Sequence, residues 1–172
     1  MTSSISIPPP PGAPADVSAE GQNRPAWTRL GMFRALPVAS LTELRNAMTE
    51  VHFDQQTAIV KQGDVGEDMY VLVEGTVRVK VRGEKHKTSF SRQLSAPALF
   101  GEMALVTHAT RSATVIAEKN VRCLRLDRRT FEQLMSRNPQ ISTFLTKIVG
   151  ERLLEADTIR KVGKYKVVGR LG

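Results

Sequence analysis

The chain has 172 residues, and 41 % of them are hydrophobic, which suits one globular domain with short extensions and excludes disorder throughout. The formal net charge is +8, but no Lys/Arg run is long or interleaved with aromatic residues, so we interpret it as a solvated basic surface and expect no nucleic-acid partner. Cys123 is the single cysteine, which excludes an internal disulfide and predicts a reducing, cytoplasmic location. No apolar run reaches the ~18 residues of a membrane span, and the first residues lack a secretory-signal pattern, so we expect no membrane partner.

The first residues differ in composition from the rest of the chain. Residues 1–26 are rich in proline, serine, alanine and glycine and include four consecutive prolines at positions 8–11. This composition predicts a disordered arm with polyproline-like stretches. We therefore expect a single domain at 27–161, followed by a tail at 162–172.

The domain is predicted to open with helical structure. Residues 27–33 fit a short helical turn. Ser40 and Glu43 then form a capping-box pattern, in which Ser40 caps the helix and Glu43 reaches back to it. Leucines at helical spacing follow, so we predict a helix that runs to about Thr49.

The middle of the chain reads as many short strands without intervening helices. The alternation of valine with basic residues is cleanest at 77–82. Gly63, Gly66 and Gly75 separate strands and are predicted to adopt positive φ in turns. Strands at this spacing predict a sandwich or jelly roll. The predicted strands are residues 51–53, 58–60, 69–74, 77–82, 88–94, 112–117 and 121–126.

One helical turn interrupts this β region and carries the most informative residues. Gly101 allows close backbone approach, and the unpaired N–H groups of the turn after it favour an anion such as phosphate. Arg111, nine residues after Glu102, can add a two-pronged donor to the same anion. An ionised Glu102 only accepts hydrogen bonds, so a ribose hydroxyl is its natural partner. These residue types predict a sugar-phosphate pocket.

Two helices are predicted after the last strand. Asp127 caps the first, which carries Phe131 on its apolar face. Pro139 opens the second, whose apolar stripe extends toward Arg160. A stripe this wide must be covered by the barrel, by a second copy of the chain, or by both, so a homodimer through this helix is one expected arrangement.

Two separated segments resemble the cyclic nucleotide-binding domains. The first is residues 63–79, and the second, called the cassette, is residues 101–105 and 111–115, in the order that this family uses. The resemblance covers roughly residues 30–160. It implies a mainly β fold, namely a jelly-roll (double-stranded β-helix) barrel with an N-terminal helix, a short cassette helix and two C-terminal helices of the B/C type.

The resemblance also implies a ligand and a set of site residues. The ligand is a cyclic mononucleotide, with no further cofactor and no metal. Arg111 holds the cyclic phosphate and Glu102 holds the ribose 2′-hydroxyl. Ser112 stands where threonine favours cyclic GMP and serine or alanine is commoner with cyclic AMP, so we expect cyclic AMP over cyclic GMP. The implied nucleotide-binding residues are Gly101, Glu102, Met103, Ala104, Arg111, Ser112, Ala113 and Thr114. One or two of four residues that we expect first in the core should also line the base pocket, namely Val71, Leu72, Met103 and Leu105.

A domain of this family is an allosteric sensor and not an enzyme. Residues 163–172 resemble the first strand of a serine/threonine protein kinase, up to the first glycine of its nucleotide-covering loop. That resemblance implies a kinase domain in cis as the effector. The alternative is an ordinary C-terminal strand or a frayed tail.

Other functions are less well supported by the sequence. A DNA-binding regulator of the catabolite-activator type needs a helix-turn-helix after the long helix, and only about a dozen residues remain there. A ligand-free dimerisation module with the same fold stays open. A cupin enzyme would need clustered metal ligands, whereas His52, His86 and His108 have no metal-binding spacing.

Overall fold

The computed structural model of the chain describes residues 26–29, 31–83 and 88–168. Eight strands form two antiparallel sheets, ordered β1-β8-β3-β6 and β2-β7-β4-β5. The predicted mainly β jelly roll with flanking helices is confirmed. The strands are β1 (Thr49–Phe53), β2 (Ala58–Val60), β3 (Asp68–Glu74), β4 (Thr76–Arg82), β5 (Thr88–Ser95), β6 (Ala98–Phe100), β7 (Thr114–Ala117) and β8 (Val121–Asp127). The helices are α1 (Val38–Ala47), α2 (Glu102–Thr107), α3 (Arg128–Arg137) and α4 (Pro139–Val168), preceded by short 3₁₀ turns at Ala26–Arg29 and Gly31–Ala35.

Two hydrophobic cores lie on opposite faces of the sheet that contains β3. Successive side chains of a strand point to opposite faces, so Leu72 and Cys123 enter the barrel core while Val71 and Leu124 enter a helix-side core. The helix-side core also contains Ile141 of α4. Burial on both faces explains why β3 is a continuous apolar run, and each such side chain contributes about 1.5–3 kcal/mol.

The start of α1 differs from the prediction. The helix begins two residues before Ser40, which lies inside it and caps nothing, so the predicted capping box is wrong. The Ser40 hydroxyl donates to Oε1 of Gln140 (3.3 Å), and the amide of Asn138 donates to both Ser40 and Glu43 (3.2 and 3.0 Å). These polar groups therefore tie α1 to the α3–α4 junction. Thr49, the predicted end of the helix, is the first residue of β1.

The glycines behave in two ways. Gly63 and Gly75 adopt φ of +90° and +93°, as predicted for turns. Gly66 does not adopt positive φ, so that prediction is wrong for this residue. A Cβ at Gly66 would lie only 2.2 Å from Cβ of Ala104. Gly66 is therefore needed because α2 packs directly against the β2–β3 loop.

The C-terminal half contains one confirmed prediction and one correction. Asp127 caps α3, and its Oδ1 accepts a hydrogen bond from the backbone N–H of Thr130 (2.9 Å). Helix α4 continues past Arg160 to Val168, so residues 162–168 are helical and do not form the predicted strand. Residues 169–172 and the N-terminal arm up to residue 25 lie outside the described residues. The division of the chain into arm, domain and tail stays a prediction.

Candidate functional site

The residue that precedes helix α2 is a glycine for two independent reasons. Gly101 has φ of +83°, a conformation that other residues rarely adopt. A Cβ there would also lie 2.8 Å from Nη1 of Arg111 and 3.1 Å from the carbonyl oxygen of Asp68. No side chain caps α2. The backbone N–H groups of its first turn can therefore hydrogen-bond an anion.

Arg111 is a buried cation beside this helix start. The residue is only 7 % exposed, and its Nη1 donates a hydrogen bond to the carbonyl oxygen of Gly101 (2.9 Å). Its backbone is fixed by hydrogen bonds to Gly63 and Asp64 (2.9 and 2.8 Å). Among the described residues no carboxylate forms an ion pair with it. Burial lowers the pKa of Arg111, and the nearby Tyr70, Asp68 and Glu102 partly offset this shift.

Glu102 is buried even more deeply, at 3 % exposure. Burial raises the pKa of this carboxyl, partly offset by the nearby charges of Arg152 and Arg111. Its Oε1 lies 3.5 Å from Nε of Arg152, which extends from α4. A nitrogen of the same guanidinium, Nη2, donates to the carbonyl oxygen of Leu99 (3.3 Å). The carboxylate predicted for a ribose is thus engaged by the long C-terminal helix.

Glu102 and Arg111 line one pocket, whose cavity volume is about 90 Å³. Predicted residues that line it are Gly101, Glu102, Met103, Ala104, Arg111 and Ser112. Lining residues that the sequence reasoning missed are Val79, Arg92, Leu94, Phe100, Val115 and Arg152. The inward alternation of β4 could have identified Val79. No local pattern identifies Arg152, because its position depends on how α4 packs against the barrel.

Five predicted residues do not line the pocket: Val71, Leu72, Leu105, Ala113 and Thr114. Val71 and Leu105 are buried in the helix-side core and Leu72 in the barrel core, whereas Met103, the fourth core residue of that expectation, lines the pocket. The hydroxyl of Thr114 accepts a hydrogen bond from the backbone N–H of Gln62 (3.0 Å), which fixes the start of β7.

A second arginine, outside the pocket, holds the cassette in place. Arg128 donates to the carbonyl oxygens of Ala104 and Leu105 at the C-terminal part of α2 (3.3 and 3.1 Å). It also donates to the carbonyl oxygen of Gly66 (2.7 Å) and pairs with Glu67 (3.0 Å). One guanidinium therefore joins α2, the β2–β3 loop and the start of α3.

The described part of the chain contains no cluster of side chains that could bind a metal ion. No group of three or more His, Cys, Asp or Glu side chains is placed there to hold an ion. Nδ1 of His108 lies 2.7 Å from Nη1 of Arg128. No helix within the described ranges has both the length and the hydropathy that a membrane crossing requires.

The chain is similar to proteins of known family. Residues 50–138 match the cyclic nucleotide-binding domain family. Human cGMP-dependent protein kinase 2 is 30 % identical over 118 residues, which cover 67 % of this chain and 16 % of the kinase. The cAMP-dependent protein kinase type II regulatory subunit of Drosophila melanogaster is 36 % identical over 136 residues, which cover 74 % of this chain and 36 % of the subunit.

A solved structure shows the same fold. The catabolite activator protein of Thermus thermophilus superposes with a TM-score of 0.69 at 26 % identity, over 76 % of this chain and 62 % of that protein. The match covers 16 % of the human kinase and 36 % of the Drosophila regulatory subunit, so the chain corresponds to one portion of each of them. The match over residues 50–138, together with the identity to these relatives, shows that the chain belongs to the cyclic nucleotide-binding domain family.

Proposed function

We propose that this chain is a cyclic mononucleotide sensor that allosterically controls an effector. The observation that carries the proposal is Arg111, a buried guanidinium without a carboxylate partner among the described residues, facing the uncapped start of α2. A buried cation left uncompensated costs free energy, and a phosphate would supply the missing charge and hydrogen-bond acceptors. The chain itself is regulatory and carries out no catalysis in this proposal.

The residue roles follow from the shared pocket. The cyclic phosphate would accept hydrogen bonds from Arg111 and from the first-turn N–H groups of α2, whose partial positive charge favours an anion. Glu102 would accept a hydrogen bond from the ribose 2′-hydroxyl. Met103, Ala104 and Ser112 would line the same cavity.

Two observations bear on the base. Ser112, on which the expectation of cyclic AMP rests, has its hydroxyl 4.0 Å from the sulfur of Met103, a weak contact that leaves it free for the ligand. Arg92 of β5 lines the pocket and supports cyclic GMP as a second candidate. A guanidinium can donate to both O6 and N7 of guanine, whereas adenine presents an amino group in place of O6.

The effector in this proposal is a protein kinase in cis, as the names of the relatives and the kinase-like residues 163–172 suggest. The helical state of residues 162–168 is an argument against a kinase strand that begins there. A DNA-binding effector, as in a catabolite activator, is the alternative, and dimerisation through α4 is compatible with both. A free, buried Cys123 suits a cytoplasmic location.

Isothermal calorimetry on the whole chain tests the function. Cyclic AMP, cyclic GMP and a cyclic dinucleotide are titrated separately, with 5′-AMP as the ring-opened control. We expect one site for a cyclic mononucleotide and much weaker binding of 5′-AMP. No heat from any of them would contradict the proposal and favour a ligand-free module. If cyclic GMP is the ligand, Arg92→Gln should weaken cyclic GMP more than cyclic AMP.

A further inference from the structure

The pocket has one wall that does not belong to the barrel or to the cassette. Arg152 of α4 reaches Glu102 at 3.5 Å and the carbonyl oxygen of Leu99 at 3.3 Å. Its side chain retains 24 % exposure, whereas that of Glu102 retains 4 %. The guanidinium therefore pairs with one oxygen, Oε1, of the carboxylate that a ribose hydroxyl would use, and it has a path to solvent.

The size of the pocket requires something to move. A cavity of about 90 Å³ is well below the roughly 300–1,000 Å³ of ordinary ligand pockets. Val79, Phe100 and Val115 are held by the two sheets, and Arg111 is fixed through its backbone. Arg152 projects from a helix outside the barrel, and its side chain is held at the pocket by its contacts with Glu102 and the carbonyl oxygen of Leu99. Arg152 is the lining side chain that is paired with Glu102, so its departure would free that carboxylate for a ligand.

We propose that Arg152 is an internal competitor for Glu102, and that a cyclic nucleotide displaces it when the ribose binds. The inference rests on the proposed function and adds the regulation of that site. In the nucleotide-free state the guanidinium partly neutralises the buried carboxylate. On binding, the 2′-hydroxyl donates to Glu102 instead, and the guanidinium returns to water.

Displacement of Arg152 affects the helix that carries it. Within 151–155, the last described side chains of α4, Arg152 alone is not exposed. The apolar anchors of the helix, such as Leu145 and Ile148, lie before it. Arg152 is thus a contact that holds α4 against the cassette beyond these anchors, and its release loosens the C-terminal part of the helix for an effector.

Calorimetry on Arg152→Gln tests the competition. The variant keeps most of the side-chain length but removes the charge, so the cyclic nucleotide that binds wild type best should bind at least about fivefold more tightly, the lower end of usual site–site coupling. Lys147→Gln is the matched control, because it removes a positive charge from an exposed position of the same helix. It should bind as wild type does. Equal or weaker binding by Arg152→Gln would overturn the proposal.

Hydrogen exchange tests the release without depending on ligand affinity. In the nucleotide-free chain, amides of α4 around and beyond Arg152 should exchange faster in Arg152→Gln than in wild type or Lys147→Gln. Unchanged exchange would contradict the restraining role of Arg152. A wild-type chain that binds no cyclic nucleotide would refute the proposed function, while this comparison would still decide whether Arg152 restrains the helix.

Discussion

Two opposite charges are buried in one pocket, yet Arg111 and Glu102 do not form an ion pair with each other. Burial disfavours both charged forms, since it lowers the pKa of the arginine and raises that of the glutamate. Each group thus retains hydrogen-bonding capacity that the protein does not use fully. A ligand with a phosphate and adjacent hydroxyl groups would satisfy both.

The buried carboxylate predicts a pH-dependent stability difference. Burial raises the pKa of Glu102 in the folded state above its pKa in the unfolded state. The resulting contribution to the free energy of unfolding is therefore fully present at pH values below the unfolded-state pKa, and it is lost as the pH rises through the folded-state pKa. Glu102→Gln imitates the protonated form. It should therefore melt at a higher temperature than wild type at neutral pH, with an advantage that shrinks in acid.

Thermal melts of the nucleotide-free chain across this pH range measure the effect. A lower melting temperature for Glu102→Gln at neutral pH would show that the contact with Arg152 outweighs the cost of burying the charge.

At the level of elements, the close packing of α2 against the β2–β3 loop can be tested with two glycines. A Cβ at Gly66 would be 2.2 Å from Cβ of Ala104 and 3.1 Å from Nε of Arg111, so Gly66→Ala should displace the cassette. We expect a loss of about 1–3 kcal/mol in unfolding free energy and weaker nucleotide binding. Gly150→Ala, where no atom lies within 4 Å, should instead stabilise α4 by about 1 kcal/mol.

Urea unfolding and calorimetry on both variants make this comparison. Wild-type stability and affinity in Gly66→Ala would contradict the packing that the structure shows.

The contacts of Arg128 predict that substituting it and substituting its neighbour Arg129 will change the free energy of unfolding by different amounts. Arg128→Ala removes the donor that serves α2 and the β2–β3 loop and leaves Glu67 without this partner. Arg129→Ala removes an exposed arginine at the next position. We expect the first to lose about 2–3 kcal/mol in urea unfolding and the second to be almost neutral. Equal effects would remove Arg128 from its clamping role.

For the whole molecule, the sequence predicted features that depend on local chemistry. Strand alternation identified most strands, Asp127 was placed correctly at its helix start, and six cassette residues were brought to one pocket because they are close in the chain. The strand β6 was missed because its three residues show no alternation to read.

The remaining features depend on packing between distant segments. Arg152 lies fifty residues after Glu102, and no local period shows which face of α4 meets the cassette. Ser40 is a residue type that often caps helices, but its hydroxyl instead accepts a hydrogen bond from Asn138, ninety-eight residues away. Such contacts are set by the register of helices against the barrel, which a short sequence window does not contain.

Thermal melting with and without ligand tests most directly whether Arg111 holds a cyclic nucleotide. Saturating cyclic AMP or cyclic GMP should raise the melting temperature of wild type by about 5–10 °C, the effect expected at a hundredfold excess over the dissociation constant. Arg111→Ala should fold and melt near the wild-type temperature without ligand but show no such increase. An equal increase in Arg111→Ala would contradict the central claim.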